Sequence, residues 1–278
     1  MIEQLGDEAK LLAGGQSLIP LMKLRFANPK HLVDLNFVPG VSYIKEEKNT
    51  VRFGALTRHS DIENSTAAAR IPIIHDCAAG IADVQIRNRG TIGGSLAEAD
   101  PSGDWAVVLS TLDTTIHCVG RKGKRSIPLS EFIADAYTTS LEKDEVVSEV
   151  AVKVPAKGSG GAYLAFKRTA PVYPTASVAV NLVMNGDTCK DARIALGCVG
   201  LTAIKASEAE AALRGQAIND HALNTAAEAA RAAADPQPDM RGSVDYKRAL
   251  VAALVKRAIA VAVRRARGEQ VELGHLYA

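Results

Sequence analysis

The sequence predicts an α+β protein in two segments: a mixed first domain over 1–157, then a small antiparallel sheet with a helical bundle over 161–278. Three observations predict it. Short β-like runs alternate with short helical ones up to position 157. The cluster Lys157-Gly158-Ser159-Gly160-Gly161 then gathers small, flexible residues, and the pattern changes after it. Beyond it, three β-like runs give way to helical periodicity that continues to the C-terminus.

Composition narrows the function class. The 278 residues suffice for about two domains. They are 47% hydrophobic and 23% charged, which suits a folded, globular chain. Lys and Arg (33) nearly balance Asp and Glu (31), so no basic field favours nucleic acid. Aromatics at 4% leave no ladder of base-stacking rings. No apolar run approaches the ~18 residues of a membrane span; Lys256 and Arg257 interrupt the nearest one, 249–263. The N-terminus shows no basic region followed by an apolar stretch, so the expected location is cytoplasmic. Cys77, Cys118, Cys189 and Cys198 form no C-x-x-C pair, and the six histidines form no H-x-x-x-H. A metal or cluster site is not expected; buried, reduced thiols are.

The elements follow in order. A strand ends at Leu11-Leu12-Ala13, Gly14-Gly15 breaks it, and 16–24 suits a short helix. Strands are expected at 31–35 and 51–55. Thr57 is expected to cap a helix over 58–70, and Pro72 to start another ending near Ala82. After Val84-Gln85-Ile86-Arg87 comes the glycine-broken segment 90–95. Asp100 and Pro101 are expected to cap and open a helix over 102–112. Strands are expected at 114–119, 145–154, 163–167, 177–184 and 193–199, and helices at 205–213, 220–234 and 244–267.

The two double-glycine segments carry the chemistry. In Ala13-Gly14-Gly15-Gln16-Ser17, adjacent glycines permit positive φ and let backbone amides approach a ligand with no Cβ between them. With the Ser17 hydroxyl, this makes a workable pyrophosphate cradle. Thr91-Ile92-Gly93-Gly94-Ser95 repeats the device, followed by Asp100, Ser102 and Asp104, whose polar groups suit ribose, ribityl or ring N–H partners. Neither matches G-x-G-x-x-G or G-x-x-x-x-G-K-[ST], so Rossmann and Walker sites are not supported. Each pair alone also fits an ordinary turn, and Asp100 alone fits a helix cap. Two such segments, each between strand and helix, point to a dinucleotide.

The run Leu12-Ala13-Gly14-Gly15-Gln16-Ser17-Leu18-Ile19-Pro20-Leu21-Met22, with Leu24-Arg25, Pro29 and Leu32-Val33-Asp34-Leu35, resembles the FAD-binding medium subunit of molybdenum hydroxylases, the xanthine dehydrogenase and carbon monoxide dehydrogenase group. Ile86-Arg87-Asn88-Arg89-Gly90-Thr91-Ile92-Gly93-Gly94-Ser95-Leu96-Ala97, with Ala99-Asp100-Pro101 and Asp104, resembles its second FAD motif. The likeness runs over nearly the whole chain. It implies a two-lobed FAD domain of the PCMH/vanillyl-alcohol-oxidase type, then a sheet-plus-helices domain. It implies FAD between the motifs, with Ala13, Gly14, Gly15, Gln16, Ser17 and Leu18 on one side and Thr91, Ile92, Gly93, Gly94 and Ser95 on the other. Asp100 and Asp104 match the polar positions that follow, and Val147 matches an aliphatic position near the isoalloxazine. It further implies a small 2Fe–2S subunit and a large molybdopterin subunit as partners, in a dimer of heterotrimers. No His or Cys lies in either motif, so noncovalent FAD is expected.

Three departures accompany the resemblance. Relatives carry about one more strand and helix before Leu11, so either the first lobe lacks an edge strand or the start codon lies upstream. Val172 stands where many relatives have Asp, which removes one polar contact near the flavin. No cysteine-rich insertion for an extra cluster exists. Two rival readings stay open: a free-standing flavin oxidase of the same superfold, and an assembly subunit that has lost FAD.

Overall fold

The computed structural model describes residues 2–169 and 172–273; Met1, Ala170, Pro171 and 274–278 lie outside the described residues. A small first lobe comprises α1 (Ile2–Leu5), β1 (Ala9–Leu12), α2 (Leu18–Lys23) and β2 (His31–Asp34). β1 and β2 pair in parallel, Ala9 opposite His31 and Leu12 opposite Asp34. No described side chain between positions 4 and 40 is buried, so this lobe has no apolar core of its own.

The second lobe contains β3 (Ile44–Glu46), β4 (Thr50–Gly54), α3 (His59–Glu63), α4 (Thr66–Arg70), α5 (Pro72–Gly80), α6 (Val84–Arg87), α7 (Ile92–Glu98) and α8 (Asp104–Ser110). It continues through β5 (Thr114–Gly120), β6 (Gly123–Pro128), α9 (Leu129–Phe132), β7 (Ile133–Asp135), β8 (Thr138–Thr139) and β9 (Val146–Lys153). An antiparallel sheet runs in the order β3-β4-β9-β5-β6. Alternate residues Val51, Phe53, Ile116, Val150 and Val152 face one core, which the helices complete with Ile62, Ile74, Trp105 and Leu109.

Then follow β10 (Ser159–Phe166), β11 (Ala176–Asn185), β12 (Thr188–Gly197) and β13 (Ile204–Lys205), antiparallel in that order. The helices α10 (Ser207–Leu213), α11 (Asp220–Ala233) and α12 (Val244–Ala266) cover this sheet. Val251, Val255, Ala258, Ile259 and Ala262 form a stripe at helical spacing on α12 and pack a second core with Val178, Val180 and Leu182. Among the described residues no helix is long and apolar enough to cross a membrane.

Five expectations change. The helix over 58–70 is two helices: Ser65 caps α4 by accepting from the Ala68 amide at 3.1 Å. Thr57 is not the cap; its hydroxyl donates to the Tyr43 carbonyl at 2.8 Å, and Arg58 holds the cap position. Gly90 to Ser95 is not a broken segment, since Gly93 and Gly94 lie in the first turn of α7. α8 starts at Asp104 with Gly103 as its cap, because Asp100 closes a turn instead: its carboxylate accepts from the Ser102 amide at 2.8 Å, and the Gly103 amide donates to its carbonyl. Gly160 and Gly161 form no flexible linker. They sit inside β10, where a Cβ on Gly160 would stand 1.9 Å from the Ala262 carbonyl oxygen and one on Gly161 3.0 Å from Ile73 Cβ.

The two cores are joined firmly. Arg265 on α12 donates to both carboxylate oxygens of Asp76 on α5, at 2.6 and 2.9 Å, and to the carbonyls of Gly161 and Val271. The four cysteines are free thiols; three are buried and Cys198 is half-buried.

Candidate functional site

The first glycine motif is the turn from β1 into α2. Gly15 has φ +76°, a conformation that L side chains rarely adopt. Gly14 serves a close approach: a Cβ there would lie 2.3 Å from the Arg89 carbonyl oxygen and 2.7 Å from Gly90 Cα. The first motif therefore presses on the start of the second. Among the described residues, no acceptor takes the amides of Gly15, Gln16, Ser17 or Leu18. Adjacent amides without an internal partner favour an anion.

The second motif is built differently. Thr91 caps α7, its hydroxyl accepting from the Gly94 amide at 3.2 Å. The Ile92 amide donates to the Thr57 carbonyl, that of Gly93 to Ala55 at 2.9 Å, and that of Ser95 to Thr91. These amides are satisfied inside the protein. Ile92 is fully buried, and Gly93 abuts Ala55, where a Cβ would come within 2.6 Å. Gly94 faces the other way; a Cβ there would meet Thr91 Oγ1 at 2.6 Å and the Ala13 methyl at 3.5 Å.

Between the motifs lies a cleft of about 730 Å³, within the usual size of a small-molecule site. Ala13, Gly14, Gly15, Gln16, Ser17, Leu18, Thr91, Gly94, Ser95, Asp100 and Asp104 all line it. Ile92 and Gly93 stand behind it. Val147 is away from it: on β9, opposite Cys118, it packs half-buried on the first core. A larger hollow of about 890 Å³ separates the five-stranded sheet from β12, but no sequence-nominated residue lines it. Its charges also pair with one another, as Arg193 does with Asp113 at 2.5 Å.

The polar wall extends beyond the motifs. Burial, and then the charge of the Asp100 carboxylate, raise the phenols of Tyr137 and Tyr173 above their usual range. Arg241 lies over the Tyr173 ring, 5.7 Å from its centroid. Val172 lines the cleft beside it. Asp104, in the first turn of α8, is buried and accepts the Tyr163 hydroxyl at 2.5 Å; burial pushes its carboxyl up, against the nearby Lys167 charge. Lys167 also lines the cleft, and its ammonium donates to the Gly80 carbonyl at 2.5 Å. Sequence reading missed it. Its signal is phase, because it continues the face of β10 that carries Tyr163 and Ala165. His59 is a second omission. Its Nδ1 accepts the Trp105 indole N–H at 3.1 Å, so the neutral ring carries its proton on Nε2, beside Gly90. Burial, then the charges of Arg58 and Arg87, lower its pKa to about 3.

Comparison with known proteins places the chain in a family. Residues 1–157 match the model of the FAD binding domain in molybdopterin dehydrogenase, and 161–262 that of the CO dehydrogenase flavoprotein C-terminal domain. The chain is 41% identical over 266 residues to the carbon monoxide dehydrogenase medium chain of Hydrogenophaga pseudoflava, covering 95% of this chain and 93% of that one. It is 39% identical over 272 residues to the 6-hydroxypseudooxynicotine dehydrogenase complex subunit alpha of Paenarthrobacter nicotinovorans, covering 97% and 92%. The solved structure of the Hydrogenophaga pseudoflava carbon monoxide dehydrogenase lacking the Mo-pyranopterin moiety superposes with a TM-score of 0.92, 44% identity, and 95% and 92% coverage.

Proposed function

The chain belongs to the FAD-binding medium subunits of molybdopterin dehydrogenases, and on that premise we propose that it relays electrons inside a molybdenum hydroxylase, from 2Fe–2S clusters on a small partner subunit to an external acceptor. The substrate is oxidised at molybdopterin on a large partner subunit, so this chain does not bind the organic substrate. The complex is a dimer of heterotrimers in the cytoplasm, with 1–157 as the FAD domain and 161–278 as the C-terminal domain of the subunit.

One observation carries the reading: the amides of Gly15, Gln16, Ser17 and Leu18, without an acceptor among the described residues, open onto a cleft whose opposite wall is the Cβ-free face of Gly94. Those amides suit the FAD pyrophosphate. FAD supplies, when bound, a centre that takes electrons from one side and gives them to another. The chain's residues bind and shield it. Asp100, with Tyr137 and Tyr173, offers polar partners at the mouth, and Lys167 places a positive charge at the buried end. Neither motif contains His or Cys, so nothing in them tethers the flavin.

The test is anaerobic bleaching of the flavin band. The isolated chain is expected to be reduced by dithionite and to stay oxidised with N-heterocycles, aldehydes or CO. Adding both partner subunits is expected to restore electron flow. Rapid bleaching of the isolated chain by an organic substrate supports a free-standing oxidase instead. After acid precipitation the yellow colour is expected in the supernatant, and colour in the pellet overturns noncovalent binding.

A further inference from the structure

We infer that Arg58 and Asn36 form a relay that sets the spacing of the two glycine motifs, and so act as positioning residues for FAD; the inference rests on the cleft being the FAD site. The first lobe brings one motif to the cleft, yet none of its described side chains is buried and its two strands do not join the five-stranded sheet. Its position must be fixed by contacts across the gap.

Arg58 supplies such a contact. Its backbone is clamped to the second motif by an antiparallel bridge with Thr91. Its Nη1 donates to the Arg89 carbonyl at 2.6 Å, and its Nη2 donates to Asn36 Oδ1 at 2.5 Å. Asn36 Nδ2 in turn donates to the Ala13 carbonyl at 2.9 Å. The Asp34 carboxylate steadies Asn36, accepting from its amide at 2.9 Å and its side chain at 2.6 Å. The relay thus ends on two carbonyls, each one residue before a motif glycine, Gly14 and Gly90. Those glycines mark the place where the motifs touch.

The residue types fit the task. A planar guanidinium reaches two oxygens in different directions, which a lysine ammonium on a flexible stem does not reproduce. Asn is both acceptor and donor, so it passes the contact onward. Among the described residues no carboxylate lies within ion-pair distance of the Arg58 side chain, so its hydrogen bonds serve this bridge.

The test is FAD titration of the full chain stripped of flavin, at high salt to screen added charge. Asn36→Ala and Arg58→Gln are expected to weaken FAD binding by about tenfold, with the thermal midpoint of the flavin-free protein unchanged. Asn36→Asp keeps an acceptor for Arg58 but loses the donor to Ala13; the relay expects the same loss, whereas a simple tether expects parent-like affinity. Parent-like affinity in Asn36→Ala and Asn36→Asp overturns the relay. Should those variants also melt earlier, Arg58→Lys decides: affinity between parent and Arg58→Gln supports the relay, and parent-like affinity overturns it. Failure of the parent chain itself to bind FAD overturns the reading of the cleft.

Discussion

Tyr163 donates its hydroxyl hydrogen to Asp104 over 2.5 Å, across the join between the C-terminal sheet and the helix that follows the second glycine motif. Both groups are buried, so neither has water as a substitute partner. Tyr163→Phe leaves a buried carboxylate short of a donor and is expected to cost about 1–3 kcal/mol. Asp104→Asn keeps an oxygen to accept the bond and is expected to cost less. Urea unfolding of the two variants checks the order.

Gly14 and Gly94 are expected to fail through shape. Gly14→Ala drives a methyl against the Arg89 carbonyl and pushes the first motif off the second. Gly94→Val fills the space beside Ala13 and Thr91. Overpacking of this kind costs about 1–3 kcal/mol, which a two-domain chain survives. Flavin occupancy at matched folded fraction is expected to fall sharply in both, and more than in Asp104→Ala.

The burial of His59 has a consequence in acid. Its folded pKa lies near 3 and its ordinary value is 6.5, so between these limits the unfolded chain holds a proton that the folded chain refuses. Its contribution to stability is complete above the upper limit and is lost as the pH falls toward the lower one. His59→Gln keeps an oxygen for the Trp105 indole and removes this titration. The difference in unfolding free energy between parent and variant is expected to change by up to about 1.4 kcal/mol per pH unit in that window. Chemical denaturation at a series of pH values measures it.

Arg265 and Asp76 are expected to be worth more to the fold than an exposed ion pair. Both are nearly inaccessible, and one guanidinium serves the carboxylate and two carbonyls. Arg265→Met strands a buried charge and is expected to cost about 3–5 kcal/mol. Arg265→Lys is expected to recover little, because one ammonium does not reproduce the fork. Thermal unfolding of both variants checks this.

The sequence was legible where local physics decides conformation. Adjacent glycines after an apolar run announced the turn at Gly14-Gly15, and α11 and α12 were clear from long helical periodicity. It was opaque where tertiary contacts decide. Gly160 and Gly161 look like a linker but are the thin edge on which a strand meets α12 and α5. β6, with exposed Lys124 and Arg125, lacks the alternation that marks a half-buried strand. In the cleft, residue types nominated Ala13 to Ser17, Thr91, Gly94, Ser95, Asp100 and Asp104, and the family resemblance added Leu18. They carried no sign that the Ile92 and Gly93 amides were already bonded, that Asp104 belonged to Tyr163, or that Val147 faced another core.

The free thiols bear on how long such a subunit lasts. Oxidation of cysteine proceeds through the thiolate. Burial pushes Cys118 and Cys189 up to about 11 and Cys198 up to about 12, and raises Cys77 well beyond its usual range. At neutral pH each sulfur therefore stays protonated, and those of Cys77, Cys118 and Cys189 are also shielded from solvent. In the electron-relay role proposed above, any oxidant that reaches the protein would meet only slow nucleophiles at Cys77, Cys118 and Cys189.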